Sequence, residues 1–135
     1  MSASDIRFCL DQCRVIAVVG LSPKTHRDSH QVSLYMQRHG YRIIPVNPAA
    51  QEILGERCYP SLSEAAQHER IDLVNCFRNA EDIPPIAQEA IAIGAKALWL
   101  QLGIVNDAAA QAAGAAGLVV VQDRCLKIER ARHPR

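Results

Sequence analysis

Residues 20–30 read GLSPKTHRDSH, and this stretch gathers residue types that hold phosphate. Gly20 closes an apolar run, and a glycine at a strand end lets backbone come close to a ligand. Leu21 follows it, and Ser22 offers a hydroxyl. Lys24, His26 and Arg27 bring three groups able to carry positive charge. A helical pattern starts just beyond, with Asp28 or Ser29 as its cap, and the free N–H groups of a helix start favour phosphate. A solvated loop of basic composition reads the same way, and loop chemistry alone does not separate the two. The dinucleotide fingerprint G-x-G-x-x-G is absent, because Ser22 and Thr25 stand where its later glycines belong. The second apolar run ends in Asn47-Pro48, without the acid that NAD binders place on the ribose. Nicotinamide chemistry is therefore disfavoured, while a nucleotide-like site is kept.

Other reactive side chains give weaker signals. The five cysteines are Cys9, Cys13, Cys58, Cys76 and Cys125. An odd number scattered through apolar segments reads as reduced thiols. Cys9 and Cys13 lie four apart on one face of a helix, and nothing at zinc-site spacing supplies two more ligands. Cys125, in DRCLKIE, has Asp123, Lys127 and Glu129 close by in sequence. A thiolate beside a cation is activated, which is the basis for reading an enzyme here. No histidine base accompanies it, and cysteine is a common core residue, which favours the non-catalytic reading.

The elements that must position these residues follow from hydrophobic patterning. Short runs rich in Val, Ile and Leu occupy residues 15–20, 41–46, 71–77, 96–101 and 118–121. Near-continuous apolar runs suit parallel strands buried on both faces. Amphipathic segments separate them. A first helix covers residues 4–13, a second runs to His39 before Gly40, and Ser61 or Ser63 caps a short third over 62–67. Pro84 and Pro85 open a fourth that stops at Gly94, and Asn106 caps an alanine-rich fifth over 107–116. The tail ERARHPR is basic and reads as fraying. Alternation of this kind predicts an α/β, Rossmann-like doubly wound domain: a mostly parallel five-stranded sheet with helices on both faces. Trp99 and Leu98 fall in a central strand and read as core.

Ligands of such folds bind outside the carboxyl ends of the strands. Those ends are Gly20-Leu21-Ser22, Asn47-Pro48, Phe77-Arg78, Gln101-Leu102-Gly103 and Gln122-Asp123-Arg124. Arg78 should emerge at this face, either toward a ligand or paired with Glu81 or Asp82.

The length of 135 residues predicts one domain spanning the chain. Apolar residues make up 49% and charged residues 21%, so wholesale disorder is excluded. A formal net charge of +1 and 4% aromatics give no footing for nucleic acid. No apolar run approaches the ~20 residues of a membrane span, and the N-terminus lacks a signal-peptide pattern. A cytoplasmic protein is the expectation.

The strings IAVVGLSPKTHRDSHQV, YRIIPVNP, GERCYPSL, FRNAEDIPPI, IGAKALWLQLGI and QDRCLKIE stand in this order along the chain. Together they resemble the small single-domain CoA-binding proteins, which are similar to the N-terminal domain of the succinyl-CoA synthetase alpha subunit. The resemblance covers residues 14–129. It implies that Gly20, Leu21 and Ser22 hold CoA phosphates and that Lys24 or Arg27 meets the adenosine 3′-phosphate. It further implies that Val46, Asn47 and Pro48 lie by the adenine and ribose. Phe77, Arg78, Gln101 and Gly103 would line the pantetheine path. The synthetase phosphorylates a histidine in a second domain, and none of His26, His30, His39, His68 or His133 matches it by context. The expectation is a binding module for CoA or acyl-CoA, without catalysis of its own. An NAD(P)-type nucleotide binder and a ligand-free interaction module are the alternatives.

Overall fold

The computed structural model describes residues 2–134. Five strands form one parallel sheet: β1 (Val15–Val19), β2 (Arg42–Val46), β5 (Leu73–Cys76), β6 (Ala97–Leu100) and β7 (Val119–Val121). Their order is β2-β1-β5-β6-β7, so the chain winds outward in both directions from β1 and β5. That pair is the switch point at which doubly wound sheets open a crevice.

Helices cover both faces. α1 (Ala3–Gln12), α2 (Asp28–Arg38) and α6 (Leu126–Arg132) carry residues of the core that holds Ile16, Val18, Met36, Leu73 and Trp99. α3 (Leu62–Ala65), α4 (Ile83–Ala92) and α5 (Asp107–Ala115) carry residues of the other core, with Ala17, Ile44, Val74, Leu98 and Leu100. Alternate strand residues thus point into different cores, as the two-residue period of a strand requires. Trp99 and Leu98 are fully buried, one in each core. Among the described residues no helix is long and apolar enough to cross a membrane.

Where a side-chain cap was expected, one helix start departs: α3 and α5 are capped and α2 is not. Ser61 accepts from the Glu64 N–H at 3.1 Å and Asn106 from the Ala109 N–H at 3.0 Å, as the patterns predict. Pro84 and Pro85 sit at the start of α4, behind a 3-10 turn (Ala80–Asp82). At α2 neither Asp28 nor Ser29 is the cap. Arg27 takes that position and its side chain makes no capping bond. Ser29 is drawn away because its hydroxyl accepts the Ser22 N–H at 3.0 Å.

Two further corrections concern whole elements. A hairpin of β3 (Glu52–Ile53) and β4 (Glu56–Arg57) interrupts the expected alternation. The tail does not fray from Glu129 onward: α6 continues through Arg132, with Leu126 and Glu129 buried. Glu129 holds Arg132 at 3.4 Å and His133 at 3.7 Å. Arg135, the last residue of the tail, lies outside the described residues.

Candidate functional site

A crevice runs over the C-terminal ends of β1, β2, β5 and β6. Its largest hollow has a volume of about 600 Å³ and lies between the β2 end, with Val46, Asn47 and Pro48, and the start of α4, with Pro85 and Ile86. A second hollow of about 440 Å³ is bounded by Ser22, Lys24, Arg27 and the first turn of α2. Gly20 and Phe77 border both, so the two adjoin at the switch point. Phe77 also borders a hollow of about 370 Å³ toward Gln101 and α6. With Arg78 and Gly103 it lines another of about 510 Å³.

Gly20 has a structural reason to be glycine. Its φ is +89°, a conformation that costs any side chain energy. A Cβ there would clash with the Phe77 carbonyl oxygen and approach Arg78 Cδ to 3.0 Å. The close approach that demands glycine is therefore between two strand ends. Gly20 also donates its N–H to the Val46 carbonyl at 3.0 Å, so three strand ends meet at this residue.

The expected phosphate loop is brought together. Ser22 accepts the Lys24 N–H at 3.1 Å, and a hydroxyl that accepts one bond still has its proton to donate. Lys24 and Arg27 are exposed and border one hollow with Asp28 and Ser29. The first N–H groups of a helix lack intrahelical partners, and those of α2 lie here. The hollow is not uniformly cationic, because Asp28 opposes the two basic groups. His26 is exposed and does not border it.

Several other expected residues stand at the crevice but spend their polar atoms on the fold. Asn47 donates Nδ2–H to the Leu21 carbonyl at 3.0 Å and accepts the Ala49 N–H on Oδ1 at 2.8 Å. It ties the β2 end to the β1 loop. Leu21 is wholly buried and borders neither of the two hollows that flank Gly20; its carbonyl is taken by Asn47. Gln101 is 4% exposed, and its Oε1 accepts the Leu126 N–H at 3.0 Å. Gly103 is exposed and donates its N–H to Asp123 Oδ1 at 2.7 Å. Arg78 meets Asp82 at 3.4 Å and still borders two hollows, so pairing and exposure to the crevice coexist. Asp123 and Arg124 do not pair through their charged ends: Arg124 Nη1 donates to the Asp123 carbonyl at 2.9 Å.

Sequence reasoning missed the opposite wall of the largest hollow, where Pro60, Ser61 and Leu62 stand. The string GERCYPSL carried that signal, since its proline and serine precede a helix start. It also missed Glu89 there; Glu81 and Asp82, expected as partners of Arg78, line the same hollow. Glu89 accepts from the Ser63 N–H at 3.0 Å and the Ser63 hydroxyl at 2.7 Å.

The cysteines divide sharply. Cys9, Cys13, Cys58 and Cys76 are buried. Desolvation raises all four, with Cys13 and Cys76 pushed up to about 12, so they remain protonated thiols at neutral pH. Cys125 alone is partly exposed, and it borders the hollow beside α6.

Similarity to known proteins agrees with this geometry. An uncharacterized protein of Bacillus subtilis, YneT, is 42% identical over 130 residues, covering 96% of this chain and 95% of its own. A hypothetical protein from Pyrococcus horikoshii has a solved structure that superposes with a TM-score of 0.91 at 38% identity, covering 98% of this chain and 92% of that one. An ADP-forming acetate–CoA ligase of Archaeoglobus fulgidus is 30% identical over 76 residues, which is 56% of this chain and 11% of the ligase. The family pattern described as a CoA binding domain matches residues 14–131. The chain belongs to the CoA-binding domain family.

Proposed function

We propose that this protein binds CoA as a module without catalysis of its own, laid across the strand ends from β2 to β6. The observation that carries this reading is the crevice at the β1–β5 switch point, with its two hollows of opposite character adjoining at Gly20 and Phe77. The hollow at α2 carries Lys24, Arg27 and the helix start, and suits phosphate. The hollow at α4 carries apolar walls and three carboxylates against one arginine, Arg78, which Asp82 already pairs, and so suits phosphate less. The pyrophosphate therefore goes to Gly20 and Ser22, beyond the buried Leu21, and the 3′-phosphate to Lys24 or Arg27. Adenine and ribose take the hollow beside Val46, Asn47 and Pro48. Pantetheine continues past Phe77 and Arg78 toward Gln101 and Gly103.

A thermal-shift titration with CoA, dephospho-CoA, NAD and NADP tests this. A ligand at a hundred times its dissociation constant stabilises by about 2.7 kcal/mol, which is a shift of several degrees for a domain of this size. The expected result is a larger shift with CoA than with dephospho-CoA, and less with NAD. A shift with NAD or NADP alone, or none at all, refutes the reading.

A further inference from the structure

We infer that the hollow beside α6 receives the acyl chain of an acyl-CoA thioester, so that the protein prefers short to medium aliphatic acyl-CoA over free CoA. This inference rests on the reading of the crevice as a CoA site. The hollow opens where the pantetheine arm is drawn to end: it shares Phe77 and Asp28 with the phosphate hollow and reaches past Gln101 to α6. Its volume of about 370 Å³ is roughly twelve times the ~30 Å³ share of one liquid water. That accommodates an aliphatic group.

Most of its exposed wall is apolar, in a place where loops are ordinarily polar, with Asp28, Gln31 and Lys127 also bordering it. Val32, Phe77, Leu102, Ile104 and Ile128 line it. Residues 102–105 read LGIV immediately after a strand end, with Leu102 at 63% exposure and Val105 at 46%. Ile128 on α6 is 43% exposed. Among the described residues these are the exposed large apolar side chains, and two of the three border this one hollow. Scattered exposed apolar residues need no explanation, but a concentration around a concavity marks a ligand site. The concavity adjoins, at Asp28 and Phe77, the hollow that takes the polar part of the ligand, which favours a chain attached to that ligand over a separate apolar molecule.

Isothermal titration of the full chain with CoA, acetyl-CoA, butyryl-CoA and octanoyl-CoA reads the preference directly. Each fully buried methylene tightens binding about fourfold, so butyryl-CoA, with two more, should bind about fifteenfold tighter than acetyl-CoA. Leu102→Ser and Ile128→Ser alter exposed side chains and should fold normally. They should abolish the acyl preference and leave CoA affinity within about twofold. Cys125 supplies a second readout: octanoyl-CoA should slow its alkylation by iodoacetamide more than CoA does. Equal affinity for CoA and octanoyl-CoA overturns the inference alone. So does a preference that survives in both variants. Failure of CoA and every thioester to bind overturns the underlying reading as well.

Discussion

Asp72 is 1% exposed at the start of β5, and Arg78 stands half in solvent just beyond the end of the same strand. The carboxylate of Asp72 accepts the Arg14 and Val15 N–H groups, each at 3.0 Å. Arg70 reaches it at 3.1 Å and Lys96 at 3.6 Å. One buried side chain thereby fastens the starts of β1, β5 and β6. At the other end no carboxylate of comparable burial bridges these strands among the described residues. There Lys24 and Arg27 remain exposed around a hollow. The contrast separates two uses of charge. Charge that is buried and fully bonded holds the sheet together, and charge left in solvent at a concavity is available to a ligand. Substitutions at the two ends should therefore fail differently, in stability at one and in binding at the other.

The largest effect is expected at the closed end. Asp72→Ala leaves two backbone N–H groups without their acceptor beside two cations, and should cost about 3–5 kcal/mol. Urea unfolding measures it, and ligand affinity at saturating folding should not change. Acid offers a second view of the same residue. Burial raises the Asp72 carboxyl, but the bonds from Val15, Arg14 and Arg70 and the nearby Lys96 outweigh it, and its pKa is lowered below the ordinary value. A lowered folded value means that the unfolded chain takes up the proton first. The stabilisation is then complete above the ordinary aspartate range near 3.9 and is lost as pH falls through the folded value. Asp72→Asn should be the less stable protein at neutral pH and should lose less on acidification. Parallel acid profiles for the two proteins would contradict the role given to Asp72.

Gly20 combines the two roles, because a fold requirement sits inside the crevice. Gly20→Ala must hold φ near +89° and displace the Phe77 carbonyl or Arg78. Strain and overpacking together should cost about 2–4 kcal/mol. The same shift of Phe77 reshapes the hollows it borders, so CoA affinity should fall as well. Loss of affinity with no loss of stability would show that the residue serves the ligand alone.

The five sheet strands were legible because runs such as VIAVV and ALWL are buried on both faces and need no partner sequence to be recognised. The hairpin was not. Its strands are two residues each, and its turn is Leu54-Gly55 with φ of +57° and +75°, so a leucine sits where the usual signal is asparagine or aspartate. α6 was hidden by its basic composition, although Leu126 and Glu129 anchor it. At the crevice, glycine, serine and the cations could be read from one loop. The tasks of Asn47 and Gln101 could not, since they are set by Leu21 and Leu126, which lie 26 and 25 residues away in the chain. The hollow beside α6 was illegible for the same reason, because its wall needs a helix that the pattern did not announce.

The smallest stability effect and the sharpest binding effect should come from the open end. Lys24→Ala and Arg27→Ala remove exposed side chains, Arg27 from a helix cap to which it contributes no side-chain bond. Surface changes of this kind usually stay within about 0.5 kcal/mol in stability. A charge-assisted bond to phosphate contributes roughly 1.5–3 kcal/mol, so losing one should weaken CoA about tenfold or more. Asp28 borders the same hollow and opposes the two cations, so Asp28→Asn should move affinity the other way. Comparing CoA with dephospho-CoA then assigns the contact. If Lys24 or Arg27 meets the 3′-phosphate, its loss should weaken CoA strongly and dephospho-CoA little. Equal losses for the two ligands would move the cation to the pyrophosphate, and no loss for either would remove it from the site.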